Sequence, residues 1–175
     1  MQPEFKDFIA KWQRIAMRSG TFELPMRSDI TVTGFAEHLP SLMIAEWDFD
    51  SRTPTTRYIG SRIEAAWRQD PSQVPIAAIF KDAAATKLHV EIARAVTSNQ
   101  IAALVEGELV FDDNLIIPLA QLRLPLAPEN GCPTIISLFC LPELQAGMAG
   151  KLPKLENLRH EFIPVKPTDE LAAVV

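Results

Sequence analysis

Runs of apolar residues and alternating polar positions divide this chain into predicted helices and strands. The segment 134–141 (TIISLFCL) is apolar on both side-chain parities, which is typical of a strand buried on both faces. It lies between Pro133 and Pro142, and because a proline cannot donate to a strand ladder, the two prolines are expected to mark the ends of pairing. We therefore predict that this segment is the central strand of a sheet.

Four other segments show strand-like patterns and supply partners for that strand. Residues 41–49 (SLMIAEWDF) and 55–59 (TTRYI) are separated by a turn and form a predicted hairpin. Residues 101–111 and 115–126 precede the central segment, with turn-forming clusters after each of them. This order predicts an antiparallel sheet of five strands.

Polar side chains alternate with apolar ones on the third and fourth of these strands. Glu106 and Glu108 alternate in this way on the third strand, and Gln121 and Arg123 on the fourth. Such alternation is typical of a strand with one face in the core and the other in water. We therefore expect each of the two strands to have one solvent-exposed face.

Residues 3–19 carry apolar side chains at helical spacing. Phe5, Phe8 and Trp12 lie on one face of this predicted helix, and charged residues lie elsewhere. Large aromatics on a short helix are compatible with docking onto the protein's own sheet, and also with a face through which two copies pair. The sequence alone does not choose between these arrangements, and we expect a homodimer through Phe5, Phe8 and Trp12.

Two more helices are predicted between the second and third strands. Residues 61–69 form a short one that buries Trp67, and residues 82–98 form a longer one that begins at Asp82, a residue type that caps helices. After Pro142, recurring glycines and prolines interrupt any long element, although 141–148 and 152–160 are each long enough for a helical turn or two. We expect this last region to be a partly ordered appendage.

Composition and charge narrow the class of protein. A length of 175 residues with 47% hydrophobic residues suits one domain with appended segments, which argues against a multi-domain enzyme. The net charge of −5, with no cluster of Lys and Arg, lacks the electrostatic signature of a protein that binds nucleic acid or an anionic membrane. The N-terminus lacks the apolar stretch of a signal peptide and no apolar run is long enough to span a bilayer, so we expect a cytoplasmic protein.

Four short motifs carry a resemblance to a known family. They are Leu24-Pro25-Met26-Arg27-Ser28-Asp29, Leu39-Pro40, Tyr58-Ile59-Gly60-Ser61 and Leu124-Pro125-Leu126. In their order and spacing, and in the order of the predicted elements, the chain resembles the PAS domain superfamily and in particular a family of short, stand-alone bacterial PAS-like proteins. The resemblance covers roughly residues 20–142.

This resemblance implies an α+β fold: a PAS-like five-stranded antiparallel sheet with helices on one face. To it are added an N-terminal amphipathic helix and a C-terminal appendage. The expected divisions are residues 1–20 for the helix, 21–142 for the PAS-like domain and 143–175 for the extension. The implied function is a sensory or regulatory module that binds a small molecule, a protein partner or both, with no output domain of its own.

In a PAS-like arrangement, the long helix would cover one face of the sheet, and any ligand would lie between them. The expected lining residues are Trp67, Phe80, Leu88, His89, Ile92 and Arg57. These side chains are mostly apolar, so they predict a small apolar or weakly acidic ligand. The opposing hypothesis is a closed core that Trp67 and its neighbours fill.

Catalytic and metal motifs are missing from the sequence. The three histidines are far apart, neither C-x-x-C nor H-x-x-x-H occurs, and Asp112 and Asp113 fall in a predicted turn. His89 is the one candidate contact for a haem or flavin, and the cofactor is left unspecified. We expect no enzyme activity. The alternatives are a small α+β enzyme with a cone-shaped cavity, which needs an acid–base pair facing that cavity, and a purely structural interaction protein.

Overall fold

A six-stranded antiparallel sheet forms the centre of the structure, a computed structural model that describes residues 1–48, 53–67, 82–111, 115–141 and 154–166, with the backbone alone at 48, 53 and 67. The strands are β1 (Leu42–Asp48), β2 (Thr53–Ile59), β3 (Ala102–Val110), β4 (Ile116–Glu129), β5 (Cys132–Cys140) and β6 (Lys154–Ile163). Their order across the sheet is β2-β1-β5-β4-β3-β6. The predicted five strands are all present, and the sixth is an addition.

β5 occupies the position predicted for the central strand. It pairs with β1 on one side and β4 on the other, so both of its edges are hydrogen-bonded. Its start differs from the prediction, because β5 begins at Cys132 and Pro133 lies inside it. Pro133 is tolerated there because the register with β4 is interrupted between Leu126 and Glu129, where the proline needs no ladder partner.

The helical turns considered for 152–160 are not found, because residues 154–163 form the strand β6. This segment pairs with β3 from Ala102↔Ile163 to Val110↔Lys154. Gly107 of β3 permits the close approach, since a Cβ there would lie 2.8 Å from Leu158 Cδ2 and 2.9 Å from the carbonyl oxygen of Glu156. Part of the expected appendage thus extends the sheet, and it covers an edge of β3 that would otherwise be exposed.

Helices cover the sheet on both faces, which refines the expected α+β architecture. The helices are α1 (Pro3–Ala16), α2 (Val32–Phe35), α3 (Ser61–Trp67) and α4 (Ala83–Asn99), with 3-10 turns at Arg27–Asp29 and Leu39–Ser41. Asp82 caps α4 as predicted, its side chain accepting from the amide of Ala85 at 2.8 Å. α1 packs on one face, against Leu122 and Leu124. α3 and α4 pack on the other. No helix in the described ranges is long and apolar enough to cross a membrane.

The aromatic stripe of α1 docks onto the protein's own sheet. Phe5, Phe8 and Trp12 are at most 1% exposed, and they join one apolar cluster with residues of β1, β4 and β5. Trp12 Nε1 donates to the carbonyl oxygen of Pro125 at 3.0 Å, which satisfies its one polar atom. The expectation of a homodimer through these three side chains is therefore corrected, because intramolecular packing already buries them.

The motifs that carry the family resemblance contact one another. A Cβ on Gly60 would lie 2.3 Å from the carbonyl oxygen of Leu39 and 2.4 Å from that of Pro40, so only glycine fits where these two motifs meet. Tyr58 Oη donates to the same Leu39 carbonyl at 3.1 Å. The motif residues therefore hold the chain together around the β1–β2 hairpin.

A backbone hydrogen bond joins the first motif to the residue that follows the last one. The amide of Ala127 donates to the carbonyl oxygen of Pro25 at 2.8 Å. Asp29 accepts from the amide of Met26 at 2.8 Å and pairs with Arg18 of the α1 terminus at 2.6 Å. These contacts attach the segment between α1 and β1 to the sheet.

Candidate functional site

Two polar side chains of β4 are buried on the face of the sheet that α4 covers. Gln121 is 3% exposed and Arg123 is 5% exposed. Arg123 lies between Ala103 of β3 and Ser137 of β5 in the strand register. The expectation that this face of β4 lies in water is therefore wrong. Alternation along a strand shows that its two faces differ in chemistry, but it does not show that the polar face is uncovered.

Arg123 forms hydrogen bonds with two uncharged side chains. Its Nε and Nη2 donate to Oε1 of Gln121 at 3.1 and 3.0 Å. Its Nη2 also lies 2.8 Å from Nδ1 of His89 on α4. Within the described ranges, no carboxylate pairs with this guanidinium. By contrast, Arg18, Arg27 and Arg57 all form ion pairs with carboxylates, and their side chains are 39–59% exposed.

The chemistry of the guanidinium fixes the orientation of both partners. Arginine has donors only, so Nδ1 of His89 must accept, and the proton of the neutral imidazole is then on Nε2. Oε1 of Gln121 likewise accepts from Arg123, and the other polar atom of this amide, Nε2, is a donor. That Nε2 is buried and has no hydrogen-bond partner among the described residues. The cluster of Arg123, Gln121 and His89, hereafter the Arg123 cluster, therefore includes one buried donor, Nε2 of Gln121, that its internal hydrogen bonds do not use.

The Arg123 cluster carries a single positive charge at neutral pH. Burial lowers the pKa of Arg123 to about 10, which leaves it protonated. Burial, and after it the charge of Arg123, holds the pKa of His89 well below its ordinary value, so the imidazole is neutral. A buried charge without a counter-ion is costly, and such perturbed groups are concentrated at functional sites.

Apolar residues surround the Arg123 cluster. Ile92 of α4 is 1% exposed and packs with Ala103, Val105 and Ile135 of the sheet, while Leu88 is partly buried against the same group. Trp47 borders this group, with the guanidinium carbon of Arg94 5.5 Å from its ring centroid. The arrangement is a charged and hydrogen-bonding centre inside an apolar wall, which is the usual composition of a small-molecule site.

Three of the predicted site residues come together here. Leu88, His89 and Ile92 lie on the face of α4 toward the sheet. Phe80 lies outside the described residues, and Trp67 is described by its backbone alone, at the end of α3. Arg57 lies elsewhere, because its Nε donates to Oε2 of Glu46 at 2.7 Å.

Sequence reasoning missed Gln121 and Arg123 as site residues. Their alternation with leucines identified a polar face of β4, and that face was expected to lie in water. Because the long helix was expected to cover only one face of the sheet, the alternation did not show which face of β4 the helix would cover.

A second polar cluster joins α1 to the turn before β1. One ligand-type atom each from Asp7, Glu37 and His38 lies within 4.8 Å of the others, a spacing that a metal ion accepts. Lys11 already supplies the cation, since its Nζ lies 3.1 Å from Asp7 Oδ2 and also bonds to Glu37. Hydrogen bonds from Lys11 and then from His38 hold the pKa of Asp7 below its ordinary value. We assign this cluster to the attachment of α1.

A groove of about 760 Å³ crosses β3, β4 and β6 beside the start of α1. Among its polar residues, Asn157 donates to Glu108, and Glu106 lies opposite Arg159 in the strand register. The buried Oε1 of Gln2 is the exception, with no hydrogen-bond partner in the part of the chain that the structure describes. Among the described residues that line the groove, no buried charge is comparable to that of Arg123, so the Arg123 cluster is the better candidate site.

Comparison with protein families supports a common architecture. Residues 1–139 match the family model described as "PAS domain". The match includes α1 and ends at β5, before β6 begins. Among curated proteins, no match was found.

Proposed function

The chain belongs to the PAS domain family, and from that premise we propose that it is a sensory or regulatory module that binds a small molecule between α4 and the sheet, at the Arg123 cluster. The observation that carries the proposal is the buried guanidinium of Arg123, whose described partners are both uncharged. A core needed only for packing gains nothing from such a group, since apolar residues of similar volume are often at least as stable. A bound molecule would account for it.

We further infer that the protein has no catalytic activity of its own. An acid–base mechanism at the proposed site would use His89, because a primary amide does not titrate and Arg123 stays protonated at neutral pH. Nδ1 of His89 is engaged by Arg123, and a strongly lowered pKa makes the imidazole a weak base. These features support recognition over proton transfer.

A protein partner, or a second copy of the chain, is the proposed recipient of the signal. Phe5, Phe8 and Trp12 are unavailable for that contact, so the interface would use another surface. Light scattering over a range of concentrations tests the homodimer, and a monomer throughout would remove it. We also infer a cytoplasmic location, which the two free cysteines, Cys132 and Cys140, support.

Native mass spectrometry of protein purified without denaturation tests the sensing site. We expect a fraction of the protein to carry a small-molecule adduct. Leu88→Trp should remove the adduct, because Leu88 is partly buried against the apolar group around the cluster and the larger indole would occupy volume between α4 and the sheet. Lys87→Trp is the matched control on the exposed side of α4 and should retain it. A wild-type protein without an adduct under these conditions would favour the closed-core, structural alternative.

A further inference from the structure

We propose that the Arg123 cluster recognises a carboxylate, so that the ligand is a small organic acid with an apolar body. The inference rests on the proposed function, because it specifies what the same site binds. It depends on the geometry of three side chains, Gln121, Arg123 and His89, and on the residues that surround them.

Hydrogen-bond polarity is the first argument. Arg123 uses the two nearby acceptors, Oε1 of Gln121 and Nδ1 of His89. Beyond these internal bonds, the buried Nε2 of Gln121 is a donor that has no partner among the described residues. A ligand group that satisfies it must accept hydrogen bonds, and a second donor, such as an ammonium, would be repelled.

Charge is the second argument. The described hydrogen bonds of Arg123 use Nε and Nη2, and no carboxylate in the described ranges neutralises the side chain. Other arginines show what this chain does where a counter-ion is available: Arg57 pairs with Glu46 at 2.7 Å and Arg18 with Asp29 at 2.6 Å. Among acceptor groups, an anion is therefore favoured over a neutral carbonyl, and the planar carboxylate matches a guanidinium.

The strand register supplies the third argument. The residues that face Arg123 on the two neighbouring strands are small, Ala103 and Ser137. The residues that face Gln121 are larger and apolar, Val105 and Phe139. The residues beside the guanidinium are thus the smallest ones at these positions, which favours an ionised ligand group next to Arg123, while the surrounding apolar residues suit a hydrocarbon body.

Titration calorimetry with octanoate, and with octanol and octylamine as neutral and cationic counterparts of the same length, tests the proposal. Octanoate should bind the wild-type protein about tenfold or more tightly than octanol, as expected for a charge-assisted pair, and octylamine should not bind. Arg123→Met should abolish this preference. Arg57→Met, which removes an exposed arginine paired with Glu46, should preserve it.

Gln121→Glu gives a second, independent readout. A glutamate at this position would place a carboxylate on the Arg123 guanidinium, in the place of the amide that already bonds to it. It should raise the melting temperature and also abolish octanoate binding, because the chain then supplies its own counter-ion. A variant that merely fails to fold would lower the melting temperature, so the two causes of lost binding are distinguishable.

Several outcomes would overturn the inference. Equal affinity for octanoate and octanol, or octanoate binding that survives Arg123→Met, would exclude carboxylate recognition by Arg123. If Leu88→Trp removes the adduct but the Arg123→Met protein still carries it, carboxylate recognition by Arg123 is excluded while the proposed sensing function remains. If the purified protein carries no adduct and none of the three probes binds, both proposals fail together.

Discussion

The two faces of the sheet are built from different chemistry, although alternate residues of the same strands form them. On the α1 face, Phe5, Phe8 and Trp12 pack against Leu122 and Leu124, and the indole nitrogen bonds to a backbone carbonyl. On the α4 face, the intervening positions of β4 bring Gln121 and Arg123 into the interior. The α1 face is therefore a closed apolar core, whereas the α4 face encloses a charge.

We expect the α1 face to contribute mainly to the stability of the fold and the α4 face mainly to ligand binding. Apolar burial stabilises a fold in proportion to the area removed from water, and the α1 face contributes its large aromatic side chains in this way. A buried guanidinium whose described partners are uncharged is expected to add little to stability, which is why we propose a role in binding for it. Changes on the α1 face should mainly alter folding, and changes on the α4 face should mainly alter binding.

The sharpest test of the comparison uses neighbouring residues of β5. Leu138 is 3% exposed on the α1 face, so Leu138→Asp should bury an unpaired charge and unfold the domain, a loss of several kcal/mol. Ser137 is 2% exposed and lies opposite Arg123, so Ser137→Asp places its carboxylate beside a cation and should leave the protein folded. Circular dichroism during urea unfolding measures both. Equal loss of structure in the two variants would end the distinction between the faces.

Trp12→Ala should have the next largest effect. The substitution removes a fully buried indole and also leaves the Pro125 carbonyl without its donor. Removal of a large aromatic from a core typically costs about 3–5 kcal/mol. Denaturant unfolding should show this loss, and Met17→Ala, at a position 36% exposed just after α1, should show little change. A small effect of Trp12→Ala would mean that α1 contributes little to the fold.

Gly107→Ala tests whether β6 is an integral part of the sheet. The added methyl group would lie 2.9 Å from the Glu156 carbonyl oxygen, so the β6 backbone must shift. Overpacking of this kind costs about 1–3 kcal/mol. Hydrogen exchange should accelerate in β6 and remain slow in β5, whereas Ile116→Ala, at a position 56% exposed on β4, should leave both unchanged. Exchange that is already fast in wild-type β6 would show that the strand is only loosely attached.

The smallest expected effect is a pH dependence that originates on the α4 face. The folded-state pKa of His89 is lowered below the ordinary value of 6.5, so the unfolded chain binds a proton more readily than the folded one. Its contribution is complete above that value and is lost as pH falls below it, at no more than about 1.4 kcal/mol per pH unit. Urea unfolding between pH 7 and pH 5 measures the slope.

Histidine-to-glutamine variants separate His89 from the rest of the protein in that experiment. His89→Gln should flatten the dependence between pH 7 and pH 5. His160→Gln, an exposed position on β6, should retain it. Retention of the full slope in His89→Gln would assign it to another group.

Much of the architecture was predictable because it depends on local patterns. The parity of 134–141 identified β5, the aromatic spacing of 3–19 identified α1, and Asp82 marked the start of α4. The segment 154–163 escaped prediction because its strand character depends on β3, whose Gly107 allows the close approach. Within this segment, charged residues alternate irregularly with a few apolar ones, and this pattern is compatible with either a helix or a strand.

The candidate site was only half predictable for a related reason. Leu88, His89 and Ile92 share a helical face, so periodicity alone directed them toward the sheet. Arg123 and Gln121 have a pattern that is identical for a solvated and for a helix-covered face. Whether such residues are buried is settled by the elements that pack above them, which strand alternation does not encode.

The sequence by itself determined the α+β class, the sheet with β5 between its neighbours, the membership of the PAS domain family and the helical identity of α1 and α4. These follow from periodicity and from short motifs, which are properties of neighbouring residues. Only the tertiary structure decided that α1 buries its own aromatics, that β6 completes the sheet and that Arg123 lies in the interior. Each of those outcomes depends on contacts between surfaces that are far apart in the sequence. The free energy of burying a side chain is gained only when those surfaces pack together in the fold.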